Sequence, residues 1–250
     1  MNTYKTLFLL PLLAASSVAV NAATVTFTDT VSMPNDADVT ILITQFDTTN
    51  DIDTAAGPYN STVGATLTSV TVTVKTIISG ANVQMDNDSV DAQTGTARVQ
   101  NLVNSYSGPV TPNAGFAAIV ETADMQLNAS QAFNLGATSG DTVGAFNVTA
   151  ASDYDTWSPG ALEAGDSGVV NSAVYAATYT GTGDLTFTIN STYTTSASFS
   201  GTNGFFQGNT PTGQFFVEVT YDYAPVPEPS TYAALLGLAA LGFVLVHRRR

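Results

Sequence analysis

The sequence predicts an all-β protein: an antiparallel β-sandwich of the jelly-roll or immunoglobulin-like type, flanked by an N-terminal signal peptide and a C-terminal single transmembrane helix. Apolar and threonine residues alternate with a period of two through much of the 250-residue chain, which is typical of strands with one buried face. No stripe of helical spacing occurs outside the two apolar ends. We therefore divide the chain into a signal peptide (1–22), a β-sandwich body (23–225) and a C-terminal segment (226–250).

The first 22 residues have the parts of a secretory signal peptide. Lys5 supplies the positive start, and an apolar core begins at Leu7. Small residues place the predicted cleavage between Ala22 and Ala23. The alternative is a retained transmembrane helix, but the apolar core is short and strand-like sequence follows it directly.

The first half of the body contains four predicted strands separated by turn residues. Val25, Phe27 and Val31 alternate with threonines, and Met33–Asp36 is a turn. Further strands are predicted at Val39–Phe46, at Leu67–Ile78 and around Val83 and Met85.

The strand pattern weakens in the middle of the body and sharpens again near its end. Weak candidates lie at Arg98–Val103, Phe116–Leu127 and Val143–Val148. Asn128–Leu135 has no sustained helical stripe, and Asp153–Ser167 is acidic and contains glycines, so neither is assigned an element. Clear alternation returns in two strands, from Leu185 to Phe199 and from Phe215 to Tyr223.

The body resembles the choice-of-anchor E domain family, whose members pair one β-rich exported body with different surface anchors. The resemblance rests on short stretches spread along the body: Thr24–Phe27, Ile43–Asp47, Leu67–Val72, Tyr179–Leu185 and Val219–Tyr223. It implies a β-rich fold and an exported location, and it implies no activity.

The body is strongly acidic. Four of the six basic residues of the chain lie in its two ends, which leaves Lys75 and Arg98 against 19 acidic residues, a net charge of −17 when Glu228 is set aside. Such a surface repels phosphate backbones, so we expect no nucleic-acid partner. Divalent cations and neutral or basic polymers are the expected partners. The chain has no cysteine, so we expect no disulfide.

The last 25 residues have the composition of a membrane-associated sorting signal. Val226, Pro227, Glu228 and Pro229 form an extended start, because proline favours polyproline-like backbone. The apolar run that follows has 15 residues, about 22 Å as a helix against the ~30 Å of a bilayer core. Its predicted anchor side chains are Tyr232, Leu235, Leu236, Leu238, Leu241, Phe243, Val244, Leu245 and Val246. The predicted cytoplasmic stop is Arg248, Arg249 and Arg250.

This order of Val-Pro-Glu-Pro, apolar helix and terminal arginines resembles the PEP-CTERM sorting tail of Gram-negative bacteria. The resemblance implies that an exosortase, an integral-membrane processing enzyme, recognises Pro227–Pro229 and cleaves at or near it. It also implies transient anchoring in the inner membrane with the body facing the periplasm. Release to the cell surface or the extracellular matrix of a biofilm would follow, where exopolysaccharide is a possible partner. The alternative is a C-terminal anchor that is never cut.

The residue inventory restricts the chemistry open to the body. The only histidine of the chain, His247, lies in the tail, and the chain has no thiol. The body therefore lacks the residues for histidine-assisted nucleophilic catalysis and for zinc hydrolysis. Glycan hydrolysis by a carboxylate pair needs only acidic residues, and Glu121, Glu163 and Glu218 are the candidates. We expect a protein that is not an enzyme, with a carbohydrate-binding or carbohydrate-active module as the alternative.

A calcium site is a further possibility. Asp86, Asp88 and Asp91 follow one another at a spacing that resembles the start of a calcium loop. The glycine and the distal glutamate of an EF-hand are missing, and aspartate and asparagine also occur in β-turns for backbone reasons alone. No firm cofactor is therefore predicted, and a calcium-dependent adhesin is kept as an alternative.

Overall fold

The computed structural model describes residues 22–52, 61–109, 122–138, 144, 146, 152–171, 178–226 and 229–248. Within these ranges the body contains eleven strands, and a C-terminal helix, α1 (Pro229–Arg248), follows it. The strands are β1 (Ala23–Met33), β2 (Ala37–Thr44), β3 (Thr66–Ser79), β4 (Val83–Asn87), β5 (Gln93–Ser107), β6 (Leu127–Leu135), β7 (Tyr154–Trp157), β8 (Leu162–Asn171), β9 (Asp184–Phe199), β10 (Gly204–Gly208) and β11 (Thr212–Ala224). The predicted all-β class is confirmed.

The described strands form three sheets. The first sheet has the order β1-β11-β3-β8, the second sheet β2-β9-β5-β6, and the small third sheet β10-β4-β7. All pairings between these strands are antiparallel. The first and second sheets bury their apolar faces against each other, as a β-sandwich requires. The chain passes from the first sheet to the third where β3 leads to β4, and returns where β10 leads to β11.

The core follows from the period-two pattern of the central strands. Val72 of β3 pairs with Val219 of β11, and both side chains are fully buried. On β9, Phe187 and Ile189 are buried in the same way, while Thr186 and Thr188 lie on the other face. Each such buried side chain stabilises the fold by about 1.5–3 kcal/mol through removal of apolar surface from water.

Several polar groups within the core bond to segments that are distant along the chain. The Tyr221 hydroxyl donates to the Thr44 carbonyl at 2.9 Å and so links β11 to β2. The Thr76 hydroxyl donates to the Met125 carbonyl at 2.7 Å, and the Asn101 side-chain amide donates to the same carbonyl at 3.1 Å. These bonds fix how the two sheets face each other, because an unpaired buried group would cost free energy.

A glycine near the start of β5 allows close contact of two aromatic rings. A Cβ on Gly95 would lie 1.9 Å from the Ser198 carbonyl oxygen and 2.3 Å from the Phe133 ring. Phe133 and Phe199 pack edge to face beside it, with ring centroids 5.2 Å apart. Gly95 is therefore required by packing, because no side chain fits at this position.

Most of the predicted strands are present. The alternation at Val25–Val31 gives β1, Leu67–Ile78 gives β3, and Phe215–Tyr223 gives β11. The weak candidate at Arg98–Val103 belongs to β5, whose 15 residues extend well beyond it. Other predicted strands correspond to β2, β4 and β9.

The sequence pattern missed four strands. β6 lies where no element was assigned, and β7 and β8 occupy the acidic, glycine-containing stretch. In β8, a Cβ on Gly165 would lie 2.2 Å from the Val74 carbonyl oxygen, so this glycine permits a close backbone approach instead of marking a loop. β10 was also missed.

The predicted strand at Phe116–Leu127 was wrong in part, because residues 122–125 form a turn and the strand begins at Leu127. Residues 116–121 and most of 143–148 lie outside the described residues.

The C-terminal helix begins at Pro229, where a missing backbone donor costs little. In the part of the chain that the structure describes, no helix combines the length and the apolar character needed to span a bilayer.

Candidate functional site

The C-terminal tail leaves the body from the centre of the first sheet. β11 lies between β1 and β3 and ends at Ala224. Pro225 is buried, and Val226 is 52% exposed. Val226 lies beside Gly64: a Cβ atom added at Gly64 would be 3.5 Å from the Val226 Cγ2 atom. Only a few residues therefore separate the core from the predicted sorting motif. Pro227 and Glu228 lie outside the described residues.

The N-terminus of the described body lies at the same end. Ala22 is exposed, and the buried Ala23 pairs with Tyr223 near the end of β11. Both predicted membrane-directed segments therefore join the body at one end. The cleavage between Ala22 and Ala23 stays a prediction.

The helix α1 exposes its apolar side chains. Leu236 is 71% exposed and Phe243 is 72% exposed. The other described large apolar residues of the helix are similarly exposed: Leu238, Leu241, Val244, Leu245 and Val246. Such a helix carries no polar face that would suit contact with water. Tyr232 and Leu235 lie within α1, but their side chains are outside the described set, as are Arg249 and Arg250 entirely. The helix ends at Arg248, where a positive charge favours the helix dipole.

A tight acidic turn supports the base of the tail. The Asp47 carboxylate accepts bonds from the backbone and side chain of Thr49 at 2.7 and 2.6 Å, and from those of Asn50 at 3.1 and 2.7 Å. The side-chain bonds from Thr49 and Asn50, followed by the backbone bonds, hold the pKa of Asp47 well below its usual range. Gly64 donates to the Thr48 carbonyl at 2.8 Å, so this turn holds the loop that contacts Val226.

The opposite end of the sandwich contains the predicted calcium residues. The buried Asn87 organises this end: its side-chain nitrogen donates to the carbonyls of Asp91 and Gly136, and its oxygen accepts from Ser89 and Gln93. Asparagine side chains commonly stabilise turns in this way. The polar residues at this end therefore have a structural role that requires no metal.

The three predicted calcium ligands do not share one environment. Asp86 is fully buried and Asp88 is 7% exposed, whereas Asp91 is exposed. The Asp91 backbone carbonyl accepts from Asn87, but Asp91 is exposed and therefore lies outside the buried group. Asp153 is a fully buried acid at the same end, and its carbonyl accepts from the Asn87 backbone at 2.8 Å. Among the described residues no three histidine, cysteine, aspartate or glutamate side chains converge on one point.

The described glycosidase candidates lie too far apart to act as a pair. Glu218 lies opposite Thr73, and Glu163 lies opposite Ile77 on the far side of β3. Four residues along the strands and two strand spacings separate their Cα atoms by about 17 Å, whereas paired catalytic carboxylates are about 5–9.5 Å apart. Glu163 forms an ion pair with Lys75 at 3.5 Å. Glu121 lies outside the described residues.

A shallow groove of about 310 Å³ lies on the second sheet. Its lining carries no charged side chain and consists of Gln100, Asn101, Leu102, Gln126, Leu127, Asn128, Thr192 and Thr194. None of these residues was predicted from the sequence as part of a site. The parity that places Gln100 of β5 and the threonines of β9 on outward faces was visible in the sequence, but the pairing of β5 with β9 was not.

The geometry thus defines a β-sandwich body with an apolar C-terminal helix attached directly to a central strand. Residues 225–250 match the family model described as the PEP-CTERM protein-sorting motif. The chain therefore carries a PEP-CTERM motif, the mark of an exosortase-sorted exported protein with a C-terminal membrane-anchored signal. The resemblance of the body to the choice-of-anchor E family stays a prediction.

Comparisons of the whole chain add little. No curated protein matches it. A solved chain of Desmodium yellow mottle tymovirus shares 11% identity, with 92% of this chain and 99% of that chain covered and a TM-score of 0.21. A chain of the T=1 particles derived from infectious bursal virus shares 10% identity, with 84% and 41% covered and a TM-score of 0.18. Scores this low carry no argument about fold or function.

Proposed function

We propose that this protein is a surface or extracellular-matrix component of a Gram-negative bacterium, released from the inner membrane when an exosortase cleaves its tail. The PEP-CTERM motif at residues 225–250 is the observation that carries the proposal. In this proposal a signal peptide exports the chain, the helix α1 holds it briefly with the body in the periplasm, and cleavage near Pro227–Pro229 frees the body.

The body acts in this proposal as a structural or adhesive component of an exopolysaccharide-containing biofilm, without enzymatic activity. Two observations support this role. The described glutamates do not form a hydrolytic pair, and the outer faces of both large sheets carry hydroxyl side chains such as Thr26, Thr220, Thr40 and Thr188. Hydroxyl groups bind neutral polymers by hydrogen bonds and carry no charge that repels them.

The sorting step is tested in cells by changing the motif. Wild-type protein recovered outside the cell should have an intact mass that lacks the arginine end. A Pro227→Ala/Pro229→Ala variant should keep its full mass and stay in the inner-membrane fraction, while the neighbouring Ser230→Ala variant should be processed normally. Deletion of residues 226–250 should abolish surface or matrix retention. An extracellular wild-type protein that still ends in Arg250, or an unchanged distribution after the deletion, would refute the proposal.

A second candidate function is binding of a neutral oligosaccharide in the groove of the second sheet. The groove is uncharged in a strongly acidic body, and its amide and hydroxyl groups can both donate to and accept from sugar hydroxyls. On an array of neutral glycans, Gln100→Ala/Asn128→Ala should lose binding that the wild type shows. Leu42→Ala, on the same sheet but outside the groove and without a hydroxyl group, should keep it. Absence of wild-type binding excludes this candidate.

A further inference from the structure

At the end of the sandwich opposite the tail, three connections between strands meet around the end of β4. The Asp88 backbone donates to the Asn203 carbonyl at 3.0 Å, and the Thr138 backbone donates to the Ser89 carbonyl at 2.8 Å. The Asn87 backbone donates to the Asp153 carbonyl at 2.8 Å. The connections between β4 and β5, between β6 and β7, and between β9 and β10 therefore meet at one place.

Asp88 lies in this junction with an unsatisfied oxygen. Its Oδ2 atom accepts from the Gly144 backbone at 2.6 Å, whereas its Oδ1 atom is buried and has no hydrogen-bond partner. Lys75 is paired with Glu163, and Arg98 is exposed on β5, so neither basic residue of the body neutralises Asp88. Burying such a carboxylate costs free energy unless a cation accompanies it.

Gln93 provides a second unsatisfied oxygen in the same network. Its side-chain nitrogen donates to the Asn87 side chain at 2.8 Å and to the Thr202 carbonyl at 2.7 Å. Its Oε1 atom is buried without a partner. Both unsatisfied atoms are acceptors, so each can bind a hydrogen-bond donor or a cation. The buried Asp86 lies two residues before Asp88, the spacing at which side chains of an extended segment point to the same side.

We propose that this end binds a calcium ion through Asp88, with Asp86 and Gln93 as further oxygen donors. Carboxylate and amide oxygens are ligands that calcium prefers, and the body has no cysteine or histidine for softer metals. Because no three acidic side chains converge among the described residues, backbone carbonyls and water complete the coordination, as is common for calcium.

The position of the site gives it a consequence for the body. β3 runs from the tail end to this end over 14 residues, a distance of roughly 45 Å. Calcium therefore ties together the loops that lie farthest from the tail. These loops face away from the membrane while the protein is anchored, and the site itself does not depend on whether the tail is cleaved.

Calorimetry and thermal unfolding test this proposal on the full chain, purified in a mild detergent and stripped with a chelator. Titration with calcium chloride should give heat of binding. At a free calcium concentration 100-fold above Kd, Tm should rise by about 5–10 °C. Asp88→Asn should lower the affinity at least tenfold, while the exposed Asp91→Asn should bind like the wild type.

The stability of Asp88→Asn without calcium distinguishes loss of metal binding from failure to fold. Without calcium, Asp88→Asn should unfold at a temperature equal to or above that of the stripped wild type, because it removes a buried charge. Three outcomes overturn the proposal: no heat and no shift of Tm for the wild type, equal binding by Asp88→Asn, or an equal response to magnesium at the same concentration.

Discussion

The hydroxyl of Tyr221 links the two large sheets, so its removal should weaken the sandwich in a way that depends on pH. Tyr221→Phe deletes the bond to the Thr44 carbonyl and keeps the ring, which packs against Phe46 with centroids 5.6 Å apart. A net hydrogen bond and a partly unsatisfied carbonyl together contribute about 1–2 kcal/mol. At pH 7 the variant should therefore unfold about 2–8 °C below the wild type.

The difference should shrink in alkali. Burial raises the pKa of Tyr221 well above its usual value, so the folded protein keeps this hydroxyl protonated when the unfolded chain ionises it. A raised pKa contributes stability that is present below about pH 10 and is lost as pH rises through the folded value. At pH 11 the wild type should have lost about 1.4 kcal/mol through this group, which Tyr221→Phe does not lose.

Urea unfolding at pH 7, 9, 10 and 11 measures both effects. The only tryptophan of the chain, Trp157, reports the transition by fluorescence, and circular dichroism of the strands provides the second probe. Tyr106 also has a raised pKa through burial, but it is present in both proteins and cancels in the comparison. A difference between wild type and variant that is the same at pH 7 and pH 11 would refute the reasoning.

Three further predictions concern the fold. Gly95→Ala should destabilise the protein by about 2–3 kcal/mol or more, measured by urea unfolding, because the new Cβ meets a backbone oxygen; an effect below 1 kcal/mol would contradict the packing described. Phe215→Ala should cost about 3–5 kcal/mol, whereas its outward neighbour Phe216→Ala should cost far less; equal losses would mean that the register is wrong. Asp47→Asn should destabilise the protein at pH 7. Because the depressed pKa contributes stability above about pH 4 that is lost as pH falls, the difference from the wild type should shrink in acid. A difference that grows below pH 4 would contradict it.

Local sequence information was sufficient to predict a strand where apolar and polar residues alternate along it. β11 is such a case, since Phe215, Val217 and Val219 are buried and the residues between them are not. It failed for β8, where glycines indicate a loop although they permit close pairing with β3. Glycine is needed in β8 because the backbone of β3 lies close to it. The strand could therefore not be recognised before its pairing with β3 was known.

The candidate calcium end shows the same division. The acidic spacing was visible in the sequence, but it grouped Asp91 with Asp86 and Asp88, and the structure separates them by burial. Gln93 was missed because its partner Thr202 lies 109 residues away along the chain. No local signal predicts a contact of that kind.

The sequence by itself determined the β class of the body and its C-terminal sorting motif, because strand alternation and a peptide signal are both properties of neighbouring residues. Only the tertiary structure decided which end of the body carries the tail, which acids are buried at the opposite end, and which amides line the groove. Those arrangements depend on the pairing of strands that are distant along the chain, and pairing is chosen by the packing of the whole core.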